Sequence, residues 1–122
     1  MHLYTFDNAP NPARLKMFMD YKGIVLDTTQ INLGAEEQLG ADYRAIVPEA
    51  TVPALVLDDG SVLCAVIAIA HYLEALYPER PLLGKTAEER AHVLNWNHRL
   101  FTDIFSPTAE AFRNAHPKYV NR

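Results

Sequence analysis

Few side chains in this sequence are placed to do chemistry, and their spacing narrows the choice further. The one cysteine, Cys64, excludes an intrachain disulfide and a CxxC redox pair. Nothing local to it lowers a thiol pKa, so it reads as a packed small apolar residue. His92 and His98 are six apart and do not share a helix face as an i, i+4 metal pair would. His71 lies on an apolar segment, where a satisfied core role is expected. No metal is expected. Asn11 reads as a loop or near-cap residue. Arg14 and Lys16 read as solvated charges, with Arg14 close enough to a helix start to meet a carboxylate. What stands out is Thr51-Val52-Pro53, where a proline opens an apolar run instead of interrupting one.

That run must be held by a hairpin. Asp59-Gly60 sits between Leu57 and Val62, and Asp-Gly tolerates the positive φ of a type I′ turn. Two antiparallel strands are predicted, Ala54 to Leu57 and Ser61 to Leu63. From Ala65 to Tyr77 the chain is apolar nearly all round, which predicts a helix buried between two layers.

Upstream, His2 to Phe6 reads as a short strand with Tyr4 and Phe6 on one face. The loop is predicted over Asp7 to Pro12, with two asparagines and two prolines. Leu15, Phe18 and Met19 at i, i+3, i+4 predict a helix over Ala13 to Lys22, stopped by Gly23. Ile24 to Leu33 is predicted as the second strand, completing a βαβ unit. Ala35 to Ile46 is predicted as a short helix interrupted at Gly40. Past a linker, Thr86-Ala87-Glu88-Glu89 is a capping box. Its helix should run through Trp96, Leu100 and Phe105 until Ser106-Pro107 bends or ends it.

Composition bounds the rest. The chain has 122 residues, 49% hydrophobic and 21% charged, as in a globular domain. A formal charge of −4 offers no footprint for nucleic acid or an anionic membrane. There is neither a secretory signal pattern nor an apolar span of ~20 residues, so a cytoplasmic protein with no membrane partner is expected.

Val-Pro, hairpin, helix and Tyr72-Leu73-Glu74…Tyr77-Pro78…Leu82-Leu83-Gly84, in this order and spacing, resemble the thioredoxin-like half of a cytosolic glutathione S-transferase of bacterial type. The resemblance implies an α/β fold: a βαβ-α-ββα domain over residues 1–80, then the incomplete start of an all-helical domain over 86–122. Only the first helix of that second domain fits before Arg122, so a truncated chain is expected. In that family the Val-Pro bond is cis. Val52, between Thr51 and Pro53, would pair its backbone with the cysteinyl residue of glutathione, as a short added strand.

The same resemblance implies two polar sites, and this sequence departs from both. Relatives place Glu-Ser at the start of the third helix to receive the γ-glutamyl end. Here Leu63, Ala68 and Ile69 set the register, and Ala65 and Val66 stand at those positions. Relatives also use Ser, Cys or Tyr after the first strand to activate the thiol. Counting back from Lys22-Gly23-Ile24, the Ser or Cys position falls on Ala9, or on Asn8 or Pro10 with a shift of one residue. The Tyr position falls near Thr5. The Asn11 side chain and the N–H groups of Asn11, Ala13 and Arg14 are what remain. Val25, Val47 and Val66 also stand where polar residues are expected. The function implied is binding glutathione, or a related small thiol, as substrate and transferring it to an electrophile, weakened by these losses. The second reading is a catalytically inactive binding or assembly module. A third, a glutaredoxin-type oxidoreductase, lacks its cysteine. Exposed apolar residues of the last helix imply a homo-oligomer, a dimer above all.

Overall fold

The computed structural model describes residues 1–116. The chain divides into two compact units, Met1–Arg80 and Pro81–Arg122. In the first unit β1 (His2–Thr5) supplies the alternation from which both layers grow. Leu3 points into a cluster with Leu15, Met19, Ile24, Leu55, Ile69 and Leu73. Tyr4 packs on the opposite face against Ile31, Tyr43, Val47 and Ala54. The sheet order is β2-β1-β3-β4, with β2 (Thr28–Gln30) parallel to β1. β3 (Ala54–Val56) is antiparallel to β1, and β4 (Val62–Leu63) is antiparallel to β3.

Helices α1 (Pro10–Lys22) and α3 (Val66–Leu76) contribute Leu15, Met19, Ile69 and Leu73 to the first cluster. The shorter α2 (Ala41–Ile46) covers the other face through Tyr43. Its hydroxyl donates to the Thr51 carbonyl at 2.7 Å, and burial pushes its pKa well up, so it stays a donor. That bond fastens the loop ahead of the Val52–Pro53 peptide, which is cis. In the same loop Ala50 adopts φ of 53°, a conformation that costs a non-glycine residue about 1 kcal/mol.

Several boundaries differ from the sequence expectations. Helix α1 starts at Pro10 and not Ala13, because Pro10 and Pro12 occupy first-turn positions where no N–H is needed. Strand β2 keeps three residues of the ten expected, since β1 offers it only Leu3, Tyr4 and Thr5 to pair with. The hairpin is not type I′. Only Gly60 has positive φ, at 85°, and Asp58, Asp59 and Gly60 together form the loop. Asp59 Oδ1 accepts from the Ser61 N–H at 2.9 Å and from its hydroxyl at 2.6 Å, holding Asp59 outside the left-handed region. Val47 is fully buried where a polar residue was expected. Helix α3 buries one face (Ile69, Ala70 and Leu73) and leaves Ala68, His71 and Ala75 exposed, so it is not enclosed on both sides. His71 is therefore not a core residue.

In the second unit Thr86 caps α4 (Ala87–Leu100) with both halves of the capping box. The Thr86 hydroxyl accepts from the Glu89 N–H at 3.2 Å, and the Glu89 carboxylate accepts from the N–H groups of Thr86 and Lys85. Those N–H bonds hold the Glu89 carboxyl below its ordinary pKa. Ser106-Pro107 does not end the helix. Residues Phe101–Phe105 form a π-helical turn and α5 (Ser106–Ala115) continues from it. Proline has no N–H and its ring would crowd the carbonyl four residues back, so the chain widens by one residue ahead of it.

Candidate functional site

The sheet register brings the candidate residues to one end of the first unit. Tyr4 pairs with Ala54 and Leu55 with Leu63. The last residues of β1, the residues entering β3 and the residues leaving β4 therefore lie side by side. From β1 the chain passes through Ala9 into α1. From β4 it passes through Cys64 and Ala65 into α3. Into β3 it comes from Thr51, Val52 and Pro53. Val52 and Cys64 pack on the same cluster as Tyr4.

At the start of α1, Ala9 is the N-cap residue and offers no side-chain cap. The Ala13 N–H is taken by the Ala9 carbonyl at 2.9 Å. With Pro10 and Pro12 lacking the group, Asn11 carries the one orphan N–H of the first three helical positions. This corrects the expectation that Ala13 and Arg14 add free amides, because the helix begins early enough to use them. The Asn11 Oδ1 is buried and has no hydrogen-bond partner among the described residues. Arg14 is half-buried, and burial lowers its pKa.

At the start of α3 the N-cap residue is Ala65, again without a side-chain cap. The cap falls one residue before the position expected for serine, so Val66 is the first helical residue. The N–H groups of Val66, Ile67 and Ala68 precede the first helical bond, from the Ile69 N–H to the Ala65 carbonyl at 3.0 Å. Three amides and the positive end of the helix dipole thus face outward, where they favour an anion. Among the described residues, neither the N–H nor the C=O of Val52 has a hydrogen-bond partner. Both backbone groups are open to a ligand strand.

Cys64 is half-buried, with its Sγ 3.7 Å from Glu49 Oε2. Burial and the neighbouring Glu49 carboxylate push its thiol pKa up. That is the reverse of what a nucleophilic cysteine requires. Gln38 is a residue that sequence reasoning missed. It is buried, and among the described residues its Oε1 has no hydrogen-bond partner. Among the described residues no three His, Cys, Asp or Glu side chains are grouped as metal ligands, and no helix is long and apolar enough to cross a membrane.

This sheet order, with α1 and α3 on one face and α2 on the other, defines a thioredoxin-like domain, and a long helix follows it. The glutathione S-transferase N-terminal domain family matches residues 9–76, and the chain belongs to that family. It is 30% identical to glutathione S-transferase 2 of Saccharomyces cerevisiae over 119 residues, covering 96% of this chain and 51% of that protein. It is 35% identical to the maleylacetoacetate isomerase of Pseudomonas aeruginosa over 94 residues, covering 75% of this chain and 44% of the relative. The crystal structure of Gtt2 from Saccharomyces cerevisiae superposes with a TM-score of 0.87 at 30% identity, over 96% of this chain and 57% of that one. The chain thus spans about half the length of the relatives it matches.

Proposed function

We propose that this chain binds glutathione along the open backbone of Val52, and that its power to activate the thiol is weak. The observation that carries the reading is the convergence at one sheet end of an unpaired strand edge and two helix starts without side-chain caps. Val52 would pair with the cysteinyl residue, Thr51 and Pro53 would shape the strand entrance, and the open amides that start at Val66, behind the Ala65 cap, would receive the γ-glutamyl carboxylate. The sulfur would then lie toward Ala9 and Asn11. With Oδ1 of Asn11 turned inward, Nδ2 is the donor end available to it.

A free thiol titrates near ~8.5, and ionising it at neutral pH needs a shift of about two units, roughly 2.7 kcal/mol. Alanine at position 9 contributes nothing to that. One backbone N–H, one side-chain amide and a helix dipole supply a modest part. Transfer of the thiol to an electrophile is therefore slow. The second reading, a domain that binds without turnover, is favoured by the same absence of a hydroxyl or thiol at Ala9.

Calorimetric titration with glutathione tests binding directly, in a cytoplasmic-type buffer without metal. The expected result is a saturable heat at one ligand per chain. No heat up to roughly 10 mM ligand, about the weakest affinity worth the name, would remove the proposal. Conjugation assayed with an aryl chloride then separates the two readings, since only the first forms product.

We also assign the protein a dimeric state. In α4 and the π-helical turn Trp96 is 54% exposed, Leu100 51% and Ile104 59%. Apolar surface of ~400–600 Å² is at the limit for a soluble monomer. A second copy laid on the same helix covers it symmetrically. Light scattering at micromolar concentration should give twice the 13.7 kDa of one chain, and a mass of 13.7 kDa would sink the assignment.

A further inference from the structure

A lysine in the last turn of a surface helix ordinarily stands in water, yet the side chain of Lys22 is completely buried. Its Nζ donates to Glu74 Oε2 at 2.6 Å, to the Glu79 carbonyl at 2.9 Å and to the Arg80 carbonyl at 3.2 Å. An ammonium has three donors, and here each one is matched. The Nζ also lies 5.6 Å from the centre of the Phe18 ring. Two of the three acceptors belong to a stretch without regular structure, between the end of α3 and Pro81. A second tie runs the opposite way: Arg80 Nη1 donates to the Tyr21 carbonyl at 3.0 Å. Arg80 itself is held at φ of 54°, a conformation uncommon outside glycine.

We propose that Lys22 is a latch that fastens the outgoing segment of the first unit, Glu79 and Arg80, to the carboxyl end of α1. The device uses charge where packing is lacking, because Pro78, Glu79 and Arg80 are all exposed and bring no apolar side chain to the core. A buried ammonium is stable only while its acceptors stay in place. The same requirement holds the segment closed: if Glu79 and Arg80 leave, the ammonium loses two of its three acceptors. Opening therefore breaks both carbonyl bonds and leaves Glu74 as the one acceptor of the three. This assignment does not rest on the glutathione reading.

Limited proteolysis with a glutamate-specific protease tests it, because the unit carries its own control. Glu79 and Glu49 are both exposed, and only the first lies in the latched segment. Lys22→Met keeps an unbranched apolar stem against Phe18 and removes the charge. It should speed cleavage after Glu79 about tenfold, the response expected of a local opening equilibrium, and leave cleavage after Glu49 unchanged. Equal acceleration at both sites means general destabilisation and overturns the proposal, as does no acceleration at Glu79. Should Lys22→Met not fold, Glu74→Gln serves in its place. It keeps an oxygen acceptor while removing the opposing charge, and a smaller but still selective rise at Glu79 is expected. A Glu74→Gln protein cut at both sites as slowly as the parent would overturn the latch as well.

Discussion

Changing Ala65→Glu and Val66→Ser together should tighten glutathione binding by roughly 1–3 kcal/mol, about 5- to 150-fold in dissociation constant. The helix start already presents amides to an anion, as the first intrahelical bond begins only at the Ile69 N–H. A hydroxyl on the first helical residue adds a donor to the ligand carboxylate. The added carboxylate meets the α-ammonium of the same γ-glutamyl group. Both are hydrogen bonds to charged groups, which is why the effect is larger than for a neutral pair. Val66 is half-buried against the Leu73 cluster, so some stability is lost in exchange. The control is a thiol without the γ-glutamyl group, such as 2-mercaptoethanol, whose binding should not change. Equal tightening of both ligands, or of neither, would show that the γ-glutamyl end does not rest on α3.

The second large effect is expected at Gly84. Its φ is +95°, and a Cβ there would lie 2.6 Å from the Arg90 backbone nitrogen and 2.7 Å from the Glu89 carbonyl carbon. Neither atom can move cheaply. Glu89 is held by the capping box, and the Arg90 Nε donates back to the Gly84 carbonyl at 3.1 Å. Gly84→Ala therefore adds backbone strain and a steric overlap at once, and should cost the second unit about 3 kcal/mol. Trp96 is the one tryptophan and lies in α4, so its fluorescence during urea unfolding reports on this unit. A midpoint unchanged from the parent would mean that the linker does not rest on the first turn of α4. Thr86→Ala, which removes one cap bond, gives a scale of ~1 kcal/mol against which to set it.

What the sequence determined by itself lies within a few residues of its cause. Thr86 and Glu89 form their capping box because each partner is three positions from the other. Gly23 ends α1 at φ of 70° because it alone there has no Cβ to clash. Gly60 turns the hairpin for the same reason, although Asp59 follows Ser61 and not the mirror-image turn. The order of strands and helices followed from these signals, and with it the family. The absence of a polar side chain at Ala9, Ala65 and Val66 was legible too, because residue type needs no coordinates.

Tertiary structure decided whatever depends on a distant partner. Strand β2 is three residues long because β1, some 25 residues away, pairs no further. The prolines ahead of Ala13 joined α1 because the chain leaving β1 enters the helix there, which local propensity for a loop did not reveal. Val47 is buried under the sheet by Ala54 and Tyr43, so its apolar side chain is a packing requirement. Lys22 looks like any helix-end lysine until Glu74, Glu79 and Arg80 close over it from more than 50 positions away. The site itself is of this second kind. Val52, Ala9 and Ala65 come to the same end of the sheet because antiparallel pairing sets the ends of β1, β3 and β4 side by side.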